Sequence, residues 1–352
     1  MIMTYLEWIN NCTQTRWWHD SGNPAEIELA LERGATGVTT NPVLTFRSFT
    51  SEPDYWTPKV LALGDDFPTT EAHAEALLKL VATFAADKVR HIYDATDGAD
   101  GYALGQLNPA RAGDAEGMLA QGRRVHSWAP NIAVKLPATA SGVEVIEHLA
   151  EEGIPICATI NVSVAQGIAV AEAYERGKKK ALANGVKPPL CIVVQQVGRL
   201  DDYLRDVAQD MKLGLPESVI TRAGLAVAKR TYAILEEMKS DCIIMPAGLR
   251  GAYHMTEMAG GRLLYTINTR VQDMILAEDP EQVEKINEPM DPQIIDQLMK
   301  IPEFVRAYEP DGMKPWEFIT FGVTQKLLSQ FMETGWAPLE TYLSNKTTGR
   351  WI

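Results

Sequence analysis

Two rhythms of apolar and polar positions alternate along this chain. Short runs of branched and aromatic residues are followed by longer stretches in which apolar positions recur every three or four residues. This is the pattern of βα units around a parallel sheet. Thr15 to Asp20 reads as a strand, and Asn23-Pro24-Ala25-Glu26 opens a helix with a side-chain cap and a first-position proline. Gly34 closes that helix, and Gly37-Val38-Thr39-Thr40 forms the next strand. Residues 43 to about 92 break the rhythm with a long connection, helical from about Thr70 to Lys88. Strands follow at Tyr102 to Leu107, around Lys135, at Ile154 to Asn161 and at Leu190 to Val197, with helices between them near Ala115 to Val125, after Ser141 to Glu152, and from Ser163 to about Ala183. Helical patterns fill Asp201 to Lys239 with a break at Gly214-Leu215-Pro216, and Cys242 to Ala247 and Leu263 to Ile267 supply the last strands.

Eight strand candidates, each followed by helical or connecting material, favour an α/β fold of the (β/α)8 TIM-barrel type over a doubly wound sheet. The expectation is one barrel domain over residues 1–352, with a helical insertion at about 43–92 and additional C-terminal helices at about 279–352. That last stretch is charged and broken at Asp291-Pro292, Pro302 and Glu309-Pro310-Asp311-Gly312, so it reads as helices packed on the barrel.

Composition narrows the function classes. Apolar residues make up 46% and charged residues 22%, as in an ordinary globular enzyme. A formal net charge of −13 argues against nucleic acid, which calls for a basic face. It leaves an anionic small molecule open, because a local arginine pair binds phosphate on an acidic protein. The four cysteines (Cys12, Cys157, Cys191, Cys242) form no CxxC pair, and three sit in strand-like runs as reduced core thiols would. The chain shows no leader pattern and no apolar run near ~18 residues, so a cytoplasmic protein with no membrane partner is expected.

The most unusual position is Lys135, inside Ile132-Ala133-Val134-Lys135-Leu136-Pro137. A lysine amine held out of water is a nucleophile for carbonyl carbon. The bland alternatives are that it snorkels to solvent or pairs with a carboxylate. Around it, the strand ends carry residues that barrel packing does not call for: Asp20, Asn41, Gln106, Asn161, Ser163, Arg199 and Arg250. Each alone has a local explanation, such as a helix cap at Asp20 or a turn at Asn41-Pro42. Together they make a polar ring about one lysine. The six histidines are scattered without an HxH or HxxxH pair, so no metal is expected.

Several motifs, in order, carry a family resemblance. Thr39-Thr40-Asn41-Pro42 after Gly34-Ala35-Thr36-Gly37, followed by Lys135-Leu136-Pro137-Ala138-Thr139, resembles the transaldolase family. The strand ending at Asp20, Ile160-Asn161-Val162-Ser163, Val197-Gly198-Arg199-Leu200-Asp201 and Gly248-Leu249-Arg250 are similar to further family segments. The resemblance implies a barrel enzyme in which Lys135 forms a Schiff base with a phosphorylated keto-sugar, the C3–C4 bond breaks, and a three-carbon dihydroxyacetone unit passes to an aldehyde. It implies proton transfer by Asp20, water orientation by Ser163, substrate binding by Asn41 and Asn161, and a phosphate clamp of Arg199 and Arg250. No cofactor is implied, the expected partners are phosphorylated sugars, and a homo-oligomer is left open. The chain departs from the family at Gln106, where a glutamate is usual, at Val194, where a serine is usual, and at Gln196. Glutamine at 106 is similar to the fructose 6-phosphate aldolase branch, although that branch's tyrosine would fall near Gln196. A fructose 6-phosphate aldolase-like lyase and a non-catalytic phosphosugar-binding protein are therefore the alternatives.

Overall fold

The structure, a computed structural model, describes residues 3–342 except residue 65. The last ten residues of the expected C-terminal helices, 343–352, lie outside the described residues. Among the described residues eight strands are present: β1 (Arg16–Asp20), β2 (Val38–Thr39), β3 (Ala103–Gln106), β4 (Ile132–Pro137), β5 (Ile156–Thr159), β6 (Cys191–Gln195), β7 (Ile243–Pro246) and β8 (Leu264–Ile267). All neighbours pair in parallel in the order β7-β6-β5-β4-β3-β2-β1-β8, and the bridge Ile244–Leu263 closes the ring. The fold is a (β/α)8 barrel, as the alternation of elements predicts.

The helices are α1 (Tyr5–Cys12), α2 (Pro24–Glu32), α3 (Pro42–Ser51), α4 (Pro53–Ala62), α5 (Thr70–Ala95), α6 (Ala115–His126), α7 (Ala140–Glu151), α8 (Val164–Ala183), α9 (Val197–Asp210), α10 (Glu217–Ile220), α11 (Ala223–Glu237), α12 (Tyr253–Thr256) and α13 (Thr269–Glu278). After β8 come α14 (Pro292–Leu298), α15 (Pro302–Tyr308), α16 (Gly322–Phe331) and α17 (Ala337–Tyr342), with a π-helical turn at Met332–Trp336 between the last two. None of these helices is long and apolar enough to cross a membrane.

Local chemistry sets most boundaries. Asn23 caps α2 by accepting from the amides of Ala25 (2.9 Å) and Glu26 (3.3 Å), with Pro24 at the first helical position. Asn41 and Pro42 repeat this device, so α3 starts where the sequence pattern shows only a turn and a connection. The 43–92 stretch thus contains α3 and α4 before α5, and α5 runs on to Ala95 because Val89, Ile92 and Tyr93 continue its packed stripe. Tail helices begin at Pro292 and Pro302, the positions that break the pattern in the sequence.

Inside the barrel, Trp18, Leu104, Ala133, Cys157, Ile192, Met245 and Leu264 pack as one apolar plug. Side chains two residues apart on a strand share a face. One such step toward the C-terminal ends gives Asp20, Gln106, Lys135, Thr159, Val194, Ala247 and Thr266. The chemistry therefore rests directly on the plug, at the end of the barrel where such sites lie.

Candidate active site

A cleft of about 570 Å³ opens at these strand ends. Asp20, Asn41, Lys135, Gln196, Arg199 and Arg250 line it, together with Arg47 on α3, Arg270 on α13, and Gln330 and Phe331 at the end of α16. Among the expected site residues, Gln106, Asn161 and Ser163 do not line the cleft; all three are buried beneath or beside it.

Lys135 is 6% exposed and, among the described residues, makes no hydrogen bond and no ion pair. Its small exposure is to the cleft and no carboxylate meets it, so neither bland alternative accounts for it. Its strand partners are Gln106 on β3 and Cys157 on β5. Burial pushes the Cys157 thiol up to about 12, opposed by the positive charge of Lys135. Cys157 is therefore a protonated, inert neighbour.

Asp20 is held by the sheet. Thr39 Oγ1 donates to Asp20 Oδ1 at 2.6 Å and lies 2.6 Å from Thr266 Oγ1, linking β8, β1 and β2 just below the carboxylate. Asn41 Oδ1 accepts from the Leu44 amide at 2.9 Å, which leaves its Nδ2 toward the cleft it lines. Ser163 is fully engaged as the cap of α8. Its Oγ donates to Gln166 Oε1 at 3.0 Å and accepts from the Gln166 amide at 3.2 Å. Asn161 Oδ1 accepts from the Ser163 amide at 3.4 Å.

Two buried polar atoms here have no partner among the described residues, Gln106 Oε1 and Asn161 Nδ2. Such orphans are rare enough in folded proteins that each calls for an explanation. The residue before Asn161 adds a second anomaly. Ile160 has φ = 53°, a left-handed conformation that a β-branched residue strongly disfavours. No sequence signal marks that strain.

The arginines divide by their pairing. Arg250 donates from Nε to Asp202 at 3.1 Å and from Nη1 to the Gly248 carbonyl at 2.8 Å. Asp202 also accepts from Arg205 at 3.0 Å. Burial works against the Asp202 charge, but the Arg250 and Arg205 hydrogen bonds outweigh it and hold the carboxyl below its ordinary value. Arg47, Arg199 and Arg270 differ. Among the described residues they alone of the arginines have no hydrogen bond, ion pair or ring contact, and all three line the cleft. Burial and then the nearby charge of Arg250 pull Arg199 below the usual arginine value. An anion placed among these groups relieves both costs.

Arg47, Arg270, Gln330 and Phe331 are site residues that sequence reasoning misses, because α3 reads as connection and the tail as packing. The tail reaches the cleft at the end of α16, and the π-helical turn that follows packs on the start of α3, where Gly335 abuts the Val43 amide and Pro42; a β-carbon there would lie 2.7 Å from that amide nitrogen. A second cleft of about 540 Å³ between α5 and α6 carries no comparable chemistry: Arg111 is paired with Glu71 and Arg124 with Glu75, which leaves Lys79 as its one unpaired charge among the described residues.

Known proteins resemble this chain over most of its length. The model of the transaldolase/fructose-6-phosphate aldolase family matches residues 17–318. A transaldolase of Thiobacillus denitrificans is 28% identical over 311 residues, covering 85% of this chain and 84% of the relative. A protein named transaldolase 2 from Streptomyces avermitilis is 31% identical over 66% of this chain and 62% of its own length. A transaldolase of Thermobifida fusca is 29% identical over 66% of this chain, which spans 63% of that relative's length. The chain belongs to the transaldolase/fructose-6-phosphate aldolase family and is an enzyme of the class I aldolase type.

Proposed function

We propose that the protein transfers a three-carbon dihydroxyacetone unit from a phosphorylated keto-sugar to an aldehyde through a Schiff base on Lys135. The carrying observation is a buried, unpaired lysine at the floor of a cleft whose rim holds three unpaired arginines.

Lys135 Nζ attacks the ketone carbon C2 and water leaves, giving an iminium. Asp20 takes the proton of the C4 hydroxyl, the C3–C4 bond breaks, and its electron pair moves into the iminium as an enamine while an aldehyde departs. The acceptor aldehyde then adds at C3, Asp20 returns the proton, and water releases the product. Proton transfer requires close placement first, and the Thr39 hydroxyl holds Asp20 from below. Gln106 Oε1 and Asn161 Nδ2, an acceptor and a donor without partners just beneath the cleft, suit a water or a hydroxyl of the three-carbon unit that reaches past its present floor. Asn41 Nδ2 binds it from the β2 side. Ser163 orders Asn161 through the α8 cap, and Gln106 takes the water-orienting role in its place. Arg199 and Arg250 bind the phosphate, with Arg47 and Arg270 extending the positive rim.

Gln106 supports a second reading, a fructose 6-phosphate aldolase-like lyase, because an amide orients water but cannot take its proton. Borohydride trapping with fructose 6-phosphate, followed by peptide mass spectrometry, tests the proposal. A reduced three-carbon adduct on Lys135 is expected, and addition of erythrose 4-phosphate before reduction should discharge it. Discharge by water alone would favour the lyase. Absence of any adduct would leave a phosphosugar-binding protein.

A further inference from the structure

Arg250 is held at its backbone by a buried pair that the reaction does not use. Its amide donates to His254 Nδ1 at 3.0 Å, His254 Nε2 lies 2.9 Å from Asp201 Oδ2, and Asp201 Oδ1 accepts from the Gly224 amide at 2.8 Å. Both side chains of the pair are wholly shielded, at 0% exposure. The direction of these bonds fixes the chemistry. A backbone amide can only donate, so Nδ1 carries a lone pair. Nε2 then carries the single ring proton and donates to Asp201.

The next residue on α9, Asp202, holds the same arginine by its guanidinium. Consecutive acids on one helix thus grip Arg250 twice, at backbone and at side chain. That helix also carries Arg199 at its start. The spacing of the two arginines is therefore referenced to one rigid element instead of two loops, although Gly248, with φ = 67°, puts Arg250 on a sharp loop after β7.

We propose that the Asp201–His254 pair is a positioning device that fixes Arg250 against α9 and so sets the affinity of the cleft for a sugar phosphate. This rests on the phosphosugar function proposed above. The neutral Nε2–H imidazole orders a backbone donor without placing another charge beside the phosphate. An unpaired acid at 201 would be buried at high cost, so His254 and Gly224 are needed to satisfy it.

The test compares His254→Asn with His254→Leu in the full chain. Both deprive Asp201 of its imidazole donor and leave it the Gly224 amide, but only asparagine leaves an oxygen near the Nδ1 position to accept from the Arg250 amide. Calorimetric titration with inorganic phosphate should give a Kd within about twofold of the parent for His254→Asn and about tenfold weaker for His254→Leu. Asp201→Asn is isosteric, yet its amide offers one acceptor where the carboxylate offers two, so either the Gly224 amide is opposed or the imidazole turns to the Nδ1–H tautomer that opposes the Arg250 amide. It should raise the KM for fructose 6-phosphate about tenfold, while trapping of unphosphorylated dihydroxyacetone on Lys135 is unchanged. If Asp201→Asn does not fold, the two His254 variants decide. Equal phosphate affinity in His254→Asn and His254→Leu would overturn the positioning role while leaving the phosphosugar function intact. Failure of the parent protein to bind phosphate would instead overturn that function, and the positioning role with it.

Discussion

Gly198 and Gly248 face each other so closely that a β-carbon on Gly198 would collide with the Gly248 carbonyl oxygen and also approach Arg250 Cγ to 2.8 Å. The first turn of α9 and the loop after β7 are in direct backbone contact at this point, which is why Arg199 and Arg250 open on one space. Gly198→Ala should push the two segments apart, at a stability cost of about 1–3 kcal/mol for overpacking. The KM for a phosphorylated donor should rise while unphosphorylated dihydroxyacetone is unaffected. Equal losses with both substrates would show that the contact serves folding alone.

The four arginines of the cleft are not equivalent. Arg199 is half-buried and its side chain has no partner, so a phosphate there gains a charge-assisted bond of about 1.5–3 kcal/mol. Arg199→Gln should therefore raise the KM for fructose 6-phosphate by roughly 10- to 150-fold. Arg47 is exposed, where an ion pair contributes about 0.2–1 kcal/mol, so Arg47→Gln should raise it by roughly fivefold at most. Steady-state kinetics at low and high salt should show the Arg47 effect fading first.

Ile160 sets conformational strain against packing. Glycine at this φ of 53° would relieve about 1–2 kcal/mol. Ile160 is also 1% exposed within an apolar cluster, and deleting a buried side chain of that size costs about 2–5 kcal/mol, with further backbone entropy lost for glycine. Packing wins. Ile160→Gly should be destabilised by about 2–4 kcal/mol in urea unfolding. A stabilised variant would mean that the strain dominates.

Acid stability should carry the mark of His19. Burial lowers this histidine below its ordinary 6.5, and Gln272 Nε2 occupies its Nδ1 at 2.9 Å as donor. Between the folded value and about 6.5 the unfolded chain binds more protons, so stability rises with pH through that window. The contribution is complete above 6.5 and is lost as pH falls through the folded value. His19→Asn keeps an acceptor for Gln272 but does not titrate. Its urea midpoint should vary less steeply with pH in the window just below 6.5. An unchanged slope would assign the acid limb to other groups.

Much of the barrel is legible before any coordinates, because strand and helix periods differ and the connecting residues punctuate them. Strand ends were less so: Val197 continues an apolar run but begins α9, and β2 is only two residues long. The missed α3 illustrates the limit of local reading. Asn41-Pro42 has the same cap chemistry as Asn23-Pro24, yet an asparagine and a proline also make a turn, and the tertiary partners of Phe49 decide between them. The lysine, the aspartate and two arginines of the cleft stand out as polar residues at strand ends. Arg47 and Arg270 do not, since an arginine on a surface helix is ordinary until its neighbours are known. The Asp201–His254 pair is equally silent, because its members are 53 positions apart.

The unpaired arginines at the mouth acquire another meaning beside the net charge of −13. On the phosphosugar reading, a doubly charged substrate meets a molecule of net negative charge and, at the cleft, three arginines that no carboxylate neutralises. The acidic body therefore acts in time as well as in space, discouraging fruitless encounters and turning the few that succeed toward the lysine. Arrival, on this view, is selected before any atom of the substrate touches the protein.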